Sequence, residues 1–478
     1  MPNIAITRRW RARGGYREFI LLSIPLVLSS ASWSIQNFVE RMYLAWYSPE
    51  AIAAATPSGI LNFTLMSIFI GTASYVGTFV AQYYGAGMYQ RIGHAIWQAF
   101  YVSLMGALIL LAFIPLAGPI FTFIGHDVQV RRYEIEYFQL LCLAGFPVIA
   151  TAALGSAFTS LGRPWTVMGI NALTTLVSLV CGYLLIFGNW GLPEMGIRGA
   201  AYACIISCIF SLFCYAVLMI RRSDTEKFHM LKGYRLDREL LFRLVRYGFP
   251  SGIQFALEMA GITFFVLLIG RLGTISLAAT NIALNINMLA VMPMIGSGFA
   301  VSVLTARYIG MNRPDLAQKS TYSGLHIALL YFTMVAVIYF FFPGPLLEAF
   351  TSRDQPERFA EVSALTIVLL RFVALYSLFN AMSIIFAAAL KGAGDTHFVL
   401  RINVLFAFLV AVPTYIVVIH LHSGITTCWG IATTYSILIS IVFMMRFVSG
   451  DWKKLRIIEC REPEVPPEMN ESSVTGRI

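Results

Sequence analysis

Two glutamates stand inside long apolar stretches of this chain, where a carboxylate has few reasons to be other than ion chemistry. Glu258 lies nine residues beyond Phe249, which at 1.5 Å per helical residue places it roughly 13 Å into a membrane. Glu40 lies sixteen residues beyond Ile24, roughly 24 Å in and nearer the far surface. A charge at the bilayer centre costs about 2.5–3.5 kcal/mol on insertion scales, so it faces a partner or a water-filled cavity. A desolvated carboxyl can exchange a proton near neutral pH, and an ionised one attracts a small cation.

Each carboxylate closes a polar stripe. Ser29, Ser32, Gln36 and Glu40 step by three, four and four residues, which is one face of a helix. Ser251, Gln254 and Glu258 repeat the pattern, so Gln36 and Gln254 are expected to line a cavity beside their carboxylates. Measured from Pro25 and Pro250, the glutamates lie fifteen and eight residues along. The difference, two helical turns or about 10 Å, puts them on the same face at different depths. Bland readings stay open: Glu40 with Arg41 also fits a charge pair at the outer interface, and Glu258 also fits a protonated packing group. Tyr376 and Asn380 share a helix face, as neutral oxygen donors for a cation or as interhelical hydrogen-bonding groups. Asn281 and Asn285 form a similar pair.

The elements that must position these residues are membrane helices. The chain has 478 residues, 58% of them hydrophobic and 12% charged, with a mean hydropathy of +0.73. Soluble domains average about a quarter charged residues. Apolar windows of spanning length fall at 17–46, 51–84, 91–118, 134–160, 164–188 and 197–220, then at 241–270, 276–309, 316–344, 358–391, 397–420 and 424–448. The second six repeat the first. Pro25 recurs as Pro250, Gly71 as Gly296, Ala81–Gly85 as Ala306–Gly310, and Ala157, Gly162 and Asn171 as Ala389, Gly394 and Asn403. Six spans per half make the repeat parallel, an arrangement transporters use to build a site between two rocking bundles.

The net charge of +10 is a matter of topology. Arg8, Arg9, Arg11, Arg13 and Arg17 precede the first span, Arg221 to Arg246 fill the centre, and Arg446 to Arg456 follow the last. These regions share one side, which the positive-inside rule assigns to the cytoplasm; no nucleic-acid partner is implied. Arg131 and Arg132 sit beside Asp127 and Glu134, and Arg353 beside Asp354 and Glu357, in outer loops. The first span imitates a cleavable signal, yet its counterpart at 241–270 cannot be one. The seven cysteines read as apolar packing groups. His420 and His422 fall in an outer loop, and the tail after Trp452 is expected to be disordered. Gly85-Ala86-Gly87 and Gly392-Ala393-Gly394 end helices on the cytoplasmic side. No Ser-His-Asp or His-Glu-x-x-His set appears, so no enzyme is expected.

Several segments together resemble the multidrug and toxic compound extrusion (MATE) family, in its bacterial NorM-like branch. They are Phe38-Val39-Glu40, Ala81–Gly87, Ala157–Pro164, Gly188–Gly199, Ala278–Asn285 and Gly392–Thr396, and the resemblance covers about 17 to 448. It implies a V-shaped pair of lobes around a cavity, and export of bulky, often cationic compounds in exchange for Na⁺ or H⁺. Glu258 matches that branch's seventh-helix glutamate and Tyr376 its tenth-helix tyrosine. Asn380 stands where an aspartate is usual, Glu40 replaces a first-helix aspartate, and Ser178 and Gly182 replace asparagine or aspartate on helix five. These departures favour H⁺ over Na⁺.

The expectation is an all-α polytopic membrane protein with twelve transmembrane helices in two six-helix lobes related by a parallel repeat. Residues 1–16 form a cytoplasmic segment, 17–220 the first lobe, 221–240 a cytoplasmic linker, 241–448 the second lobe and 449–478 a cytoplasmic tail. The function is antiport of small organic compounds against H⁺ or Na⁺ by alternating access, with pivots near Gly85 and Gly310. Glu258, Glu40, Tyr376 and Asn380 are the coupling residues, and Gln36, Gln254, Asn281 and Asn285 line the cavity. The protein acts as a monomer in the inner or plasma membrane, without a cofactor or bound metal beyond the coupling ion. The alternative is a lipid-linked oligosaccharide or lipid II flippase, for which Arg41 and Arg371 would be the only deep cations.

Overall fold

The computed structural model describes residues 10, 12–221, 226–348, 350, 356–420 and 424–459. Arg8, Arg9, Arg11, Arg222, Arg353, Asp354, His422, the Glu357 side chain and the chain beyond Glu459 lie outside the described residues.

The first half runs through α1 (Tyr16–Tyr47), α2 (Pro49–Ser74), α3 (Val76–Gly85), α4 (Gln90–Ala112), α5 (Ala117–Ile124), α6 (Val128–Leu143), α7 (Gly145–Ser160), α8 (Pro164–Phe187) and α9 (Ile197–Ile220). The second runs through α10 (Arg238–Gly270), α11 (Thr274–Gly310), α12 (Pro314–Phe341), α13 (Pro343–Glu348), α14 (Pro356–Ala393), α15 (Thr396–Ile419) and α16 (Ile425–Ser449). Among the described residues, eleven helices or continuous helix pairs are long and apolar enough to span a bilayer, and twelve when α6 and α7 count as one span bent by 49°. The bend falls at Ala144 with Gly145 and Pro147 just beyond it, residues that weaken the helical hydrogen-bond ladder. An even number of spans puts both chain ends on one side, here termed the terminal face.

Short turns follow from local chemistry. The Ser48 hydroxyl accepts a bond from the Ala51 N–H at 3.0 Å and Pro49 takes the first helical position, so α2 begins directly after α1. The turn after α3 uses Gly87 at φ +73°, and 225 residues later Asn312 takes the same left-handed place at +59°. The repeat therefore extends to backbone conformation.

Within the lobes α1 packs on α8, and its counterpart α10 packs on α15. Between the lobes α2 lies against α10, and α11 against α1 and α3. Small residues let these helices approach backbone to backbone. A Cβ on Gly71 would lie 2.6 Å from the Gly252 Cα, and one on the equivalent Gly296 would lie 2.8 Å from the Val27 nitrogen. At the terminal face the exchange is reciprocal. A Cβ on Gly85 would meet the Arg307 carbonyl at 2.1 Å, and one on Gly310 would meet the Gln82 carbonyl at 2.1 Å. Side chains repeat it: Gln82 Nε2 donates to the Gly392 carbonyl at 3.2 Å, and Arg307 Nη2 to the Ser160 carbonyl at 2.9 Å. Residues 82 and 307, like 160 and 392, are repeat partners. The lobes also touch through Phe63 and Phe255 at 5.7 Å. A turn or more beyond that pair, Gly59 and Gly261 have no neighbouring atom within 4 Å of a built Cβ.

Several expectations need correction. Residues 451–459 are ordered: Asp451–Lys454 form a 3-10 turn, Trp452 is fully buried and Ile457 and Ile458 enter the core. Burial of three large apolar side chains overrides the polar composition of the segment. Glu134 is no partner of Arg131 or Arg132. It is fully buried and bound by His126 Nδ1 at 2.7 Å, while Arg132 pairs with Glu136. The helix after the linker starts at Arg238, where the Asp237 carboxylate accepts the Leu240 N–H at 3.1 Å.

Gly310→Val is expected to destabilise the protein by about 3 kcal/mol or more, because overpacking against backbone has no cheap relaxation. Gly169→Ala, in open space on α8, is expected to be neutral or to stabilise by up to about 1 kcal/mol. Thermal unfolding of the two variants beside the parent checks both.

Candidate functional site

The polar stripes of α1 and α10 each form one intrahelical unit. Gln36 Nε2 donates to Glu40 Oε1 at 2.9 Å, and Gln254 Nε2 donates to Glu258 Oε1 at 2.8 Å. The same four-residue Gln–Glu step thus occurs in both lobes, two turns apart in register. In both, the amide satisfies one oxygen of the carboxylate and leaves the other without a protein donor among the described residues.

The surroundings differ. Glu40 is partly enclosed between α1 and α8: Ser178 Oγ donates to its Oε1 at 2.7 Å and accepts from Gln36 Nε2 at 3.0 Å. The triangle of Gln36, Glu40 and Ser178 ties α1 to α8, with Tyr137 and Cys204 within electrostatic reach. Ser178 is therefore the third member of this site. Gly182, one turn further along α8, packs on the Tyr43 ring. Glu258 is exposed, whereas Gln254 beneath it is buried. Glu40 is therefore the more enclosed of the two carboxylates. Glu258 points into open space on the far side of the Phe63–Phe255 contact, three residues beyond Phe255.

A lysine missed in the sequence lies near Glu258. Lys391, in the last turn of α14, is half-buried and makes no hydrogen bond or ion pair from its ammonium among the described residues; the Glu258 carboxylate acts on it electrostatically. Tyr435 on α16 is in reach of the same carboxylate. Helical side chains lean towards the N-terminus, so Lys391 leans from the terminal face towards the membrane interior. Arg371, by contrast, is exposed over the Phe340 ring, and Arg41 is exposed.

The two residues of the α14 pair differ in their partners. The Tyr376 hydroxyl accepts from Asn287 Nδ2 at 3.2 Å, while Asn380 makes no hydrogen bond among the described residues. Asn287 Oδ1 is buried and unpaired; this residue belongs to the α11–α14 contact, on a different face of the helix from Asn281 and Asn285. Asn281 and Asn285 are exposed, and Asn285 Nδ2 is spent on the Asn281 carbonyl at 2.8 Å. No group of three or more His, Cys, Asp or Glu side chains gathers among the described residues.

Two lobes, a glutamine-bound glutamate with an unpaired oxygen on both α1 and α10, and an apolar exterior describe a membrane transporter architecture. A family model, MatE, matches residues 25–184 and 250–416, one segment in each lobe. The chain belongs to the MatE family. It is a multi-pass membrane transporter and not an enzyme. It is similar to a probable multidrug resistance protein NorM of Thermotoga maritima, 24% identical over 92% of this chain and 94% of that one. It is 25% identical to the NorM protein of Burkholderia vietnamiensis over 79% and 81% of the two chains. Its fold matches a MOP superfamily transporter of Pyrococcus furiosus with a TM-score of 0.83 at 20% identity, covering 94% of this chain and 98% of that one. It also matches an outward-facing MATE family transporter with a TM-score of 0.82 at 18% identity, covering 92% and 98%. The twelve-helix, two-lobe fold read from the repeat is thus the MatE fold.

Ser178→Ala is expected to cost the MatE chain about 1–3 kcal/mol by leaving the enclosed Glu40–Gln36 pair one partner short. Asn285→Ala, on an exposed position, is expected to stay within about 0.5 kcal/mol of the parent. Thermal melts of the purified variants test the contrast.

Proposed function

We propose that this protein is a secondary active antiporter that exports amphipathic, often cationic, organic compounds in exchange for protons by alternating access. The observation that carries the reading is the division of labour along the lobes. The hydrogen bonds between them cluster at the terminal face, and the close backbone approaches at glycines continue from there only as far as Gly252 against Ile68 and Gly296 against Val27, while Glu258 stands exposed beyond the Phe63–Phe255 contact. The multidrug names of the NorM relatives support the substrate class. The positive-inside distribution supports a cytoplasmic terminal face, and an opening of the lobes towards the outside.

Protons are favoured over Na⁺ by the donor sets. A hard cation takes several oxygen ligands, best with more than one carboxylate. Each Gln–Glu unit here offers one carboxylate, Asn380 replaces a potential second, and the Lys391 ammonium near Glu258 opposes another cation. A carboxyl that binds a proton needs none of that coordination. Protonation in one state and substrate binding in the other would shift the equilibrium by their difference in affinity for the two states.

Efflux of a fluorescent lipophilic cation from proteoliposomes under an imposed pH or Na⁺ gradient tests this. A pH gradient is expected to drive transport, and Glu258→Gln to abolish the coupling. Transport set by the Na⁺ gradient and indifferent to pH would reverse the ion assignment; wild-type coupling in Glu258→Gln would remove Glu258 from the mechanism.

A further inference from the structure

The terminal-face closure repeats much of its pattern in the two halves but departs from it at the acid that faces a repeated tyrosine. Tyr83 and Tyr308 are repeat partners, 225 residues apart, and each phenol donates to a carboxylate: Tyr308 to Glu18 Oε2 at 2.5 Å, Tyr83 to Glu459 Oε2 at 3.2 Å. Glu18 belongs to α1, seven residues before Pro25. The residue seven before Pro250, in the equivalent place on α10, is Arg243. The second half therefore carries a cation where the first carries the acid its tyrosine needs. Arg243 Nη2 holds Glu459 Oε1 at 2.9 Å, and Arg91 Nη2 lies 4.0 Å from it. The carboxylate absent from α10 is delivered by the C-terminal tail.

The tail is built to deliver it. Its root is fixed in the second lobe: the Trp452 ring stacks on Phe447 at 4.9 Å, Trp452 Nε1 donates to the Phe447 carbonyl at 2.7 Å, and Lys453 Nζ donates to Gln318 Oε1 at 2.7 Å. Arg456 pairs with Asn312 in the turn after α11. Its end lies on the first lobe. The Ile457 N–H donates to Gln82 Oε1 at 3.4 Å, and Ile457 and Ile458 join a core built mostly of first-lobe residues such as Phe79 and Ile92, which α10 enters through Leu240 and Leu244. Glu459 then bridges Tyr83 and Arg91 of the first lobe to Arg243 of the second. Gln82, whose Nε2 binds the Gly392 carbonyl of the other lobe, is gripped at its oxygen by the same strap.

We propose that Glu459 is a latch carboxylate: the strap 452–459, rooted in the second lobe, completes the closed terminal face and sets how readily the lobes part there. It acts through Tyr83, Arg91 and Arg243 and so is a positioning residue for the transport cycle. The inference rests on the alternating-access reading above. The glutamate and Arg243 keep 27% and 19% of their side-chain surface in contact with solvent, so the ion pair can be rehydrated when the strap lifts, while the stacked Trp452 stays anchored.

The test uses the full chain in nanodiscs with its native cysteines replaced and spin labels at Leu231→Cys and Met311→Cys, exposed sites beside the first and second lobes. Double electron–electron resonance reads the distance between them. Glu459→Gln is expected to shift the ratio of open to closed populations at this face by roughly ten- to a hundredfold, the effect of losing a charged hydrogen-bond acceptor. Adding Arg243→Glu to Glu459→Gln, which restores to α10 the acid that α1 has, is expected to return the distribution towards the parent. A Glu459→Gln distribution equal to the parent's, or one that Arg243→Glu leaves unrelieved, overturns the latch. Gradient-driven efflux by the same preparations reports on the antiport reading separately, since transport can persist with the latch disproved.

Discussion

The closure of the terminal face depends on backbone contact between helices that only glycine permits. Gly85 rests on the Arg307 carbonyl and Gly310 on the Gln82 carbonyl, each with no room for a single added carbon. Lipid gives no hydrophobic incentive for helices to associate, so close van der Waals approach and interhelical hydrogen bonds must supply the attraction. Both are present here in duplicate, because the chain repeats. Gln82 and Arg307 each cap a carbonyl of the opposing lobe, Gly392 and Ser160, at the ends of equivalent helices. A contact made of a few such directional bonds and small residues can form and break as a unit, which a broad interdigitated core cannot.

The chemistry is not duplicated with the scaffold. Both lobes carry a glutamine four residues before a glutamate, yet the pair is enclosed by Ser178 in the first lobe and open in the second. The register shift of seven residues keeps the carboxylates on equivalent faces while changing their depth and their neighbours. Lys391 adds a further difference, since its repeat partner is Thr159, a neutral and buried residue. The two lobes can therefore respond to a proton or a cation with different affinities even though their backbones superpose in topology. The ends show the same economy: one half keeps its acid in the helix, and the other takes it from the tail.

Much was legible in the sequence for reasons that are local. The length of each apolar run, the prolines that open α2, α8 and α12, and the left-handed turns at Gly87 and Asn312 are decided within a few residues. The parallel repeat, the choice of Gly85 and Gly310, and the Gln–Glu stripes followed from periodicity and spacing, which a helix converts directly into a face. The NorM-like resemblance rested on the same short segments and is matched by the family assignment.

Tertiary structure decided what lies between elements distant in the chain. Ser178 meets Glu40 across 138 residues, Asn287 meets Tyr376 across 89, and Glu459 meets Tyr83 across 376. Hydropathy also cannot separate a cavity wall from a lipid-facing one, so the exposure of Glu258 and the enclosure of Glu40 were not legible in it. The tail read as disordered because its composition is polar, yet Trp452, Ile457 and Ile458 find apolar surface on the folded lobes that the linear chain does not display. Local spacing determined the helices and the faces of the polar residues. Which faces met, and which carboxylate was left uncovered by protein, depended on packing between elements that no single segment encodes.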